Sequence, residues 1–148
     1  MFITPFSLAQ RFVGTKEVDG HASNPQVLAM LRLDSDWPEG DEVAWCSAFV
    51  NYIAWLCRLP RSKSLAARSW LGVGQAVTLA NAEVGSDIVV LNRSGGNLDP
   101  SVAGPGHVGF FASVDGTNVM LLAGNQGNSV SIASFPASRI LGVRRLDP

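Results

Sequence analysis

Apolar residues recur at spacings of three and four through the first half of the chain, and the period shortens in the second half. In residues 43–57, Cys46, Phe49, Val50, Ile53 and Cys57 fall on one face, which predicts a helix. Arg58-Leu59-Pro60 closes it, because a residue before proline leaves the helical region. Residues 5–13 predict a short amphipathic helix with Pro5 at its first position and Gly14 as its stop. Asn24-Pro25 starts another, striped by Val27, Leu28, Leu31 and Leu33. Residues 65–71 predict a further short helix, closed by Gly72 and Gly74.

Strand patterns follow. Asp87-Ile88-Val89-Val90-Leu91 is apolar enough to be buried on both faces. Residues 92–106, rich in Gly, Asn, Ser and Pro, form a loop. Residues 107–114 and 118–123 are strands around the turn signal Asp115-Gly116. Residues 130–132 and 140–146 complete the set. Helices first and an antiparallel meander after them is an α+β plan, with no repeat or linker to divide residues 1–148 into two domains.

A hydrophobic content of 47% in 148 residues supports a buried core, and a net charge of −1 gives no reason to expect nucleic acid as a partner. No apolar run approaches the roughly 20 residues of a membrane span. The N-terminus lacks the basic and apolar regions of a secretory signal, which points to synthesis in the cytoplasm. Cys46 and Cys57 lie on one helix, about 16 Å apart along its axis, so an intact helix keeps them from bridging.

The chemistry centres on Cys46. It opens the apolar stripe just after the breakers Pro38 and Gly40, so its thiol sits near a helix N-terminus, where unpaired N–H groups favour thiolate. His107 opens a strand directly after Gly104-Pro105-Gly106 and is the candidate base. A three-residue hairpin loop places Asn125 level with His107, while a loop of another length needs a bulge to keep that facing. A carboxamide oxygen there holds the imidazole tautomer, as in a Cys-His-Asn triad. His21 reads as a solvated loop residue. The acidic stretch 34–41 lacks the spacing of an EF-hand. No C-x-x-C or H-x-x-x-H pair supports zinc, and no cofactor is expected.

Four blocks together carry a resemblance: Val43-Ala44-Trp45-Cys46-Ser47-Ala48-Phe49-Val50-Asn51, Gly85-Ser86-Asp87-Ile88-Val89-Val90-Leu91, Gly106-His107-Val108-Gly109-Phe110 and Ala123-Gly124-Asn125-Gln126. The chain resembles papain-like peptidoglycan hydrolases of the cysteine- and histidine-dependent amidohydrolase/peptidase (CHAP) and NlpC type, in a compact bacterial and phage subgroup. The resemblance implies a helical half that carries Cys46 as nucleophile, packed on a small antiparallel sheet that carries His107 as base. Asn125 matches as third member, with Gln126 in reserve. Many relatives have an acidic residue near position 123, where this chain has Ala123. The implied substrate is bacterial peptidoglycan, cut at stem-peptide or muramoyl-alanine amide bonds, with Trp37, Trp45 and Trp70 as cleft walls and Gln126 as a further contact. Action in the periplasm or cell wall then needs delivery by phage or a secretion system, and an immunity protein is a further expected partner. Two rivals stand beside this reading: the same triad working as a deamidase or transglutaminase-like toxin, and a non-catalytic wall-binding module.

Overall fold

The computed structural model describes residues 3–16, 24–33, 45–93 and 105–148. Three α-helices come first: α1 (Pro5–Gln10), α2 (Pro25–Leu31) and α3 (Cys46–Leu56). Thr4 caps α1 through a reciprocal pair of bonds with Ser7, and the Asn24 side chain caps α2. A 3-10 helix, Ala67–Gly72, stands where the fourth helix is predicted. Six strands follow: β1 (Gln75–Val77), β2 (Asp87–Asn92), β3 (Gly106–Asp115), β4 (Asn118–Gln126), β5 (Ser129–Pro136) and β6 (Ile140–Arg145). They form one antiparallel sheet in the order β1-β6-β2-β3-β4-β5. The α+β plan therefore holds. The three residues of β1 are too few to carry a periodic signal.

β2 is buried along its whole length. Ile88 and Val90 join the core shared with the helices, while Val89 and Leu91 join a second cluster on the other face with Phe111, Val119, Leu121 and Val143. At the far end of β2, the Asp87 carboxylate is held by two Arg145 bonds of 2.8 Å and by the Glu83 N–H at 2.7 Å. This buried charge is thereby satisfied, and it pins β2 to β6 away from the region of interest.

The first turns of α3 are buried almost all round, from Cys46 to Asn51, whereas Trp55 and Leu56 near its end are exposed. Two features seat the buried end. Gly124 on β4 lies against the Trp45 ring so closely that a Cβ there would stand 2.6 Å from it. A polar knot then ties the helix to the following loop. Trp70 Nε1–H donates to Ser47 Oγ at 2.9 Å, and that hydroxyl donates to the Ser64 carbonyl at 2.6 Å. Buried Asn51 donates to the carbonyls of Ser47 and Ser64 and accepts from the Lys63 N–H at 2.9 Å.

The exposed end of α3 closes with a Schellman motif. The Arg58 N–H bonds the Trp55 carbonyl at 3.1 Å, and the Leu59 N–H bonds the Ala54 carbonyl at 2.9 Å. Arg58, with φ 57°, occupies the left-handed position that glycine favours, at a cost of about 1 kcal/mol. Lys63, with φ 55°, is the second cation of this loop in that conformation.

Gly124→Ala forces Trp45 off β4 and is expected to cost about 2 kcal/mol in urea unfolding. Gly72→Ala, where a Cβ meets nothing within 4 Å, is the control, with a change within about 0.5 kcal/mol. Equal effects at the two positions would remove the close approach as the seat of α3.

Candidate functional site

Trp45 is the N-cap of α3, and its indole carries only an N–H donor, so no side-chain acceptor caps the first-turn N–H groups. The backbone N–H groups of Val108 on β3, of Ser47 and of Cys46 itself each favour the thiolate. Val108 is the residue next to His107. Among the described residues, Cys46 and His107 share no direct hydrogen bond; Val108 is the link between helix and strand.

Burial is the largest influence on the thiol and pushes its pKa above the usual range. The N–H groups and the charge of Arg93 work against it without reversing it. The expected preference for thiolate at a helix N-terminus is therefore corrected. The dipole is present, but desolvation of a residue only 3% exposed outweighs it.

His107 is also buried, at 4% exposure. Its Nε2 lies 2.9 Å from Gln126 Oε1. The far side of the Gln126 amide fixes which atom is which: Nε2 of Gln126 donates to the Ser131 carbonyl at 2.8 Å and the Leu121 carbonyl at 3.3 Å. Two carbonyl oxygens accept only from an N–H, so Oε1 faces the imidazole and His107 Nε2 carries the proton. The lone pair is left on Nδ1. Phe135 packs against the ring with centroids 5.2 Å apart, and the Arg139 guanidinium covers Phe135 from 5.7 Å. Burial lowers the imidazole pKa from 6.5 to about 4; the Gln126 bond opposes this, and the charges of Arg93 and Arg139 add to it.

Asn125 was the expected partner of this ring, and two irregularities explain why Gln126 takes its place. The β3–β4 hairpin pairs Asp115 with Asn118, so its loop has two residues and not three. A register shift between Phe111 and Ser113 compensates and restores the expected alignment. A second shift then falls between Ala123 and Gln126, where Asn125 adopts φ 60°. Gln126, not Asn125, pairs with Ser129 on β5 and turns its side chain to His107.

Arg68 steadies the start of β3. Its Nε donates to the Pro105 carbonyl at 3.2 Å and an NH2 group to Asn92 Oδ1 at 3.1 Å. Gly106 makes room for it, since a Cβ there would stand 3.1 Å from Arg68 Cγ.

One solved structure, NlpC1 from Trichomonas vaginalis, aligns over 97% of this chain with a TM-score of 0.57 and 16% identity. The likeness is one of fold. The shared α+β layout is consistent with an NlpC-like, papain-type architecture, and the chain spans 44% of that protein's length. No protein-family model and no curated protein matches the chain.

The remaining sequence candidates separate cleanly. Trp45 and Trp70 are both 0% exposed, so neither stands as a cleft wall: Trp45 packs on Gly124, and Trp70 braces Ser47. Trp37, His21 and the acidic stretch 34–41 lie outside the described residues. No group of three His, Cys, Asp or Glu among the described residues is placed to hold a metal ion. Arg68, Arg93, Phe135 and Arg139 were not foreseen, because isolated arginines and a lone phenylalanine give no sequence signal.

The depressed His107 pKa makes stability depend on pH. In the unfolded chain the ring holds its proton below about 6.5, and in the folded protein only below about 4. Between those values the unfolded state binds more protons, so acidification favours unfolding. The native protein is expected to lose about 3 kcal/mol across that window relative to His107→Gln, read from urea midpoints against pH. Parallel curves for the two proteins would show that the ring is not held neutral.

Proposed function

We propose that the chain is a cysteine-dependent hydrolase of amide bonds in bacterial peptidoglycan, with Cys46 as nucleophile, His107 as base and Gln126 as its orienter. The observation that carries the reading is the clamped tautomer. Gln126 commits Nε2 as a donor and leaves the basic nitrogen, Nδ1, on the residue before Val108, whose N–H favours the Cys46 thiolate. The substrate class comes from the resemblance of the sequence blocks around Cys46, Asp87, His107 and Asn125, and the NlpC1 neighbour adds a likeness of fold.

Both groups rest neutral, since burial raises the thiol and lowers the imidazole. Proton transfer therefore accompanies attack: Nδ1 takes the thiol proton as the sulfur bonds the amide carbonyl carbon. The N–H of Cys46 is a donor for the oxyanion. Nδ1 then gives its proton to the leaving amine as the C–N bond breaks. Water attacks the thioester with His107 again as base, releasing the acid and the thiol.

Incubating purified peptidoglycan with the native chain and with Cys46→Ala, followed by mass spectrometry of the soluble fragments, tests the reading and names the bond. Cleaved stems are expected from the native protein alone. Intact peptidoglycan, together with a Cys46 that resists alkylation in a Cys57→Ser background, would overturn it. Gln126→Leu is expected to lower kcat by about a hundredfold, and Asn125→Gly to leave it within about threefold. The reverse order would return the orienting role to Asn125.

A further inference from the structure

The end of α3 that points away from Cys46 carries a second feature. A surface cavity of about 850 Å³ is lined by Trp55, Leu56, Arg58, Leu59, Pro60, Arg61 and Lys63. Trp55 is 49% exposed and Leu56 42% exposed, so two large apolar side chains adjoin in water. Arg58 and Lys63 are exposed as well.

The chemistry of the lining is one-sided. Its polar side chains, three cations and the Trp55 indole, only donate hydrogen bonds; none is a carboxylate, carboxamide or hydroxyl. A sugar hydroxyl finds donors here but no side-chain acceptor for its own O–H. An anion with an apolar body is matched at both ends. The charge is also local, since the chain as a whole carries −1. The concave shape suits a protruding side chain better than a flat bilayer.

The backbone adds an independent sign. Arg58 and Lys63 both occupy left-handed positions, at φ 57° and 55°, and Arg58 is the Schellman residue where glycine is the easier choice. Buried Asn51 fixes the second of these by accepting from the Lys63 N–H. The loop thus keeps cations where folding alone favours glycine.

We propose that this cavity is a docking site for an acidic peptide segment of a partner protein, with an apolar side chain seated among Trp55, Leu56 and Leu59 and carboxylates on Arg58 and Lys63. The site is separate from the Cys46 region and does not depend on hydrolysis.

The test selects short peptides from a random phage library on the immobilised full chain with Cys46→Ala, then measures the winners by fluorescence anisotropy. Acidic sequences around one large apolar residue are expected. Their affinity should fall about tenfold in Arg58→Gly/Lys63→Gly and about thirtyfold in Trp55→Ala, and weaken as salt rises. The glycine pair keeps the backbone conformation and is expected to unfold at no lower temperature than the native chain, so lost binding is not lost folding. Winners without acidic residues, or winners that bind the glycine variant equally well, would overturn the proposal. So would tighter, Arg58- and Lys63-dependent binding of phosphatidylglycerol vesicles or soluble muropeptides. Self-association abolished by the same substitutions would reassign the cavity to a second copy of this chain.

Discussion

The approach of Trp45 to Gly124 is the contact on which the rest of the site depends. Here a missing Cβ lets an indole press directly on the β4 backbone, and the helix start follows it down. The same end of α3 carries Cys46, whose thiolate is favoured by the Val108 N–H on β3. The same descent buries the thiol, so the contact that creates the pairing also raises the energy of the thiolate. The balance falls on the neutral side because a few N–H dipoles and the charge of Arg93 recover only part of what water supplied.

His107 is held by a comparable balance. Its ring is enclosed by Phe135 and the strand, which removes water from the charged form, and the surrounding arginines make that form still less favourable. The Gln126 amide stabilises either state but chooses the tautomer, since its N–H groups are already committed to two backbone carbonyls. An aspartate in that position would add the charge needed for a resting imidazolium. A carboxamide fixes orientation without supplying it. The arrangement therefore suits a base that is protonated only during reaction and is neutral before and after it.

Local signals carried the fold and two of the site positions. The breakers before Cys46 and the Gly-rich stretch before His107 mark the starts of a helix and a strand, and boundary chemistry is written into neighbouring residues. The orienting amide was not legible to the same degree. Its identity depends on how many residues lie between two paired positions, and each bulge alters that count by one. The hairpin turn, the shift near Ser113 and the left-handed Asn125 each move the register, and only the last has a compositional trace, in an asparagine that tolerates positive φ. The tryptophans failed for another reason. Whether an indole lines a cleft or fills a core is decided by what packs on it: for Trp45 a glycine nearly eighty residues away, for Trp70 a serine on α3.

The two ends of α3 obey opposite constraints. At the buried end, small and apolar residues minimise the distance to the sheet, and the polar Ser47 and Asn51 are tolerated because each is fully engaged by the 62–64 loop. At the exposed end, the chain retains Trp55, Leu56 and two strained cations where a folding criterion alone selects polar surface residues and a glycine. Folding needs explain the first set; in the second, Trp55 packs on the Tyr52 ring with centroids 6.0 Å apart and still leaves half of its surface in water. A surface that keeps apolar area and positive charge against local preference is one whose free energy is completed by something outside the chain. Asn51 joins both sets, since one amide braces the start of α3 and the left-handed Lys63. A ligand that pulled on the loop would therefore act first on the hydrogen bonds around Ser47, the residue next to Cys46.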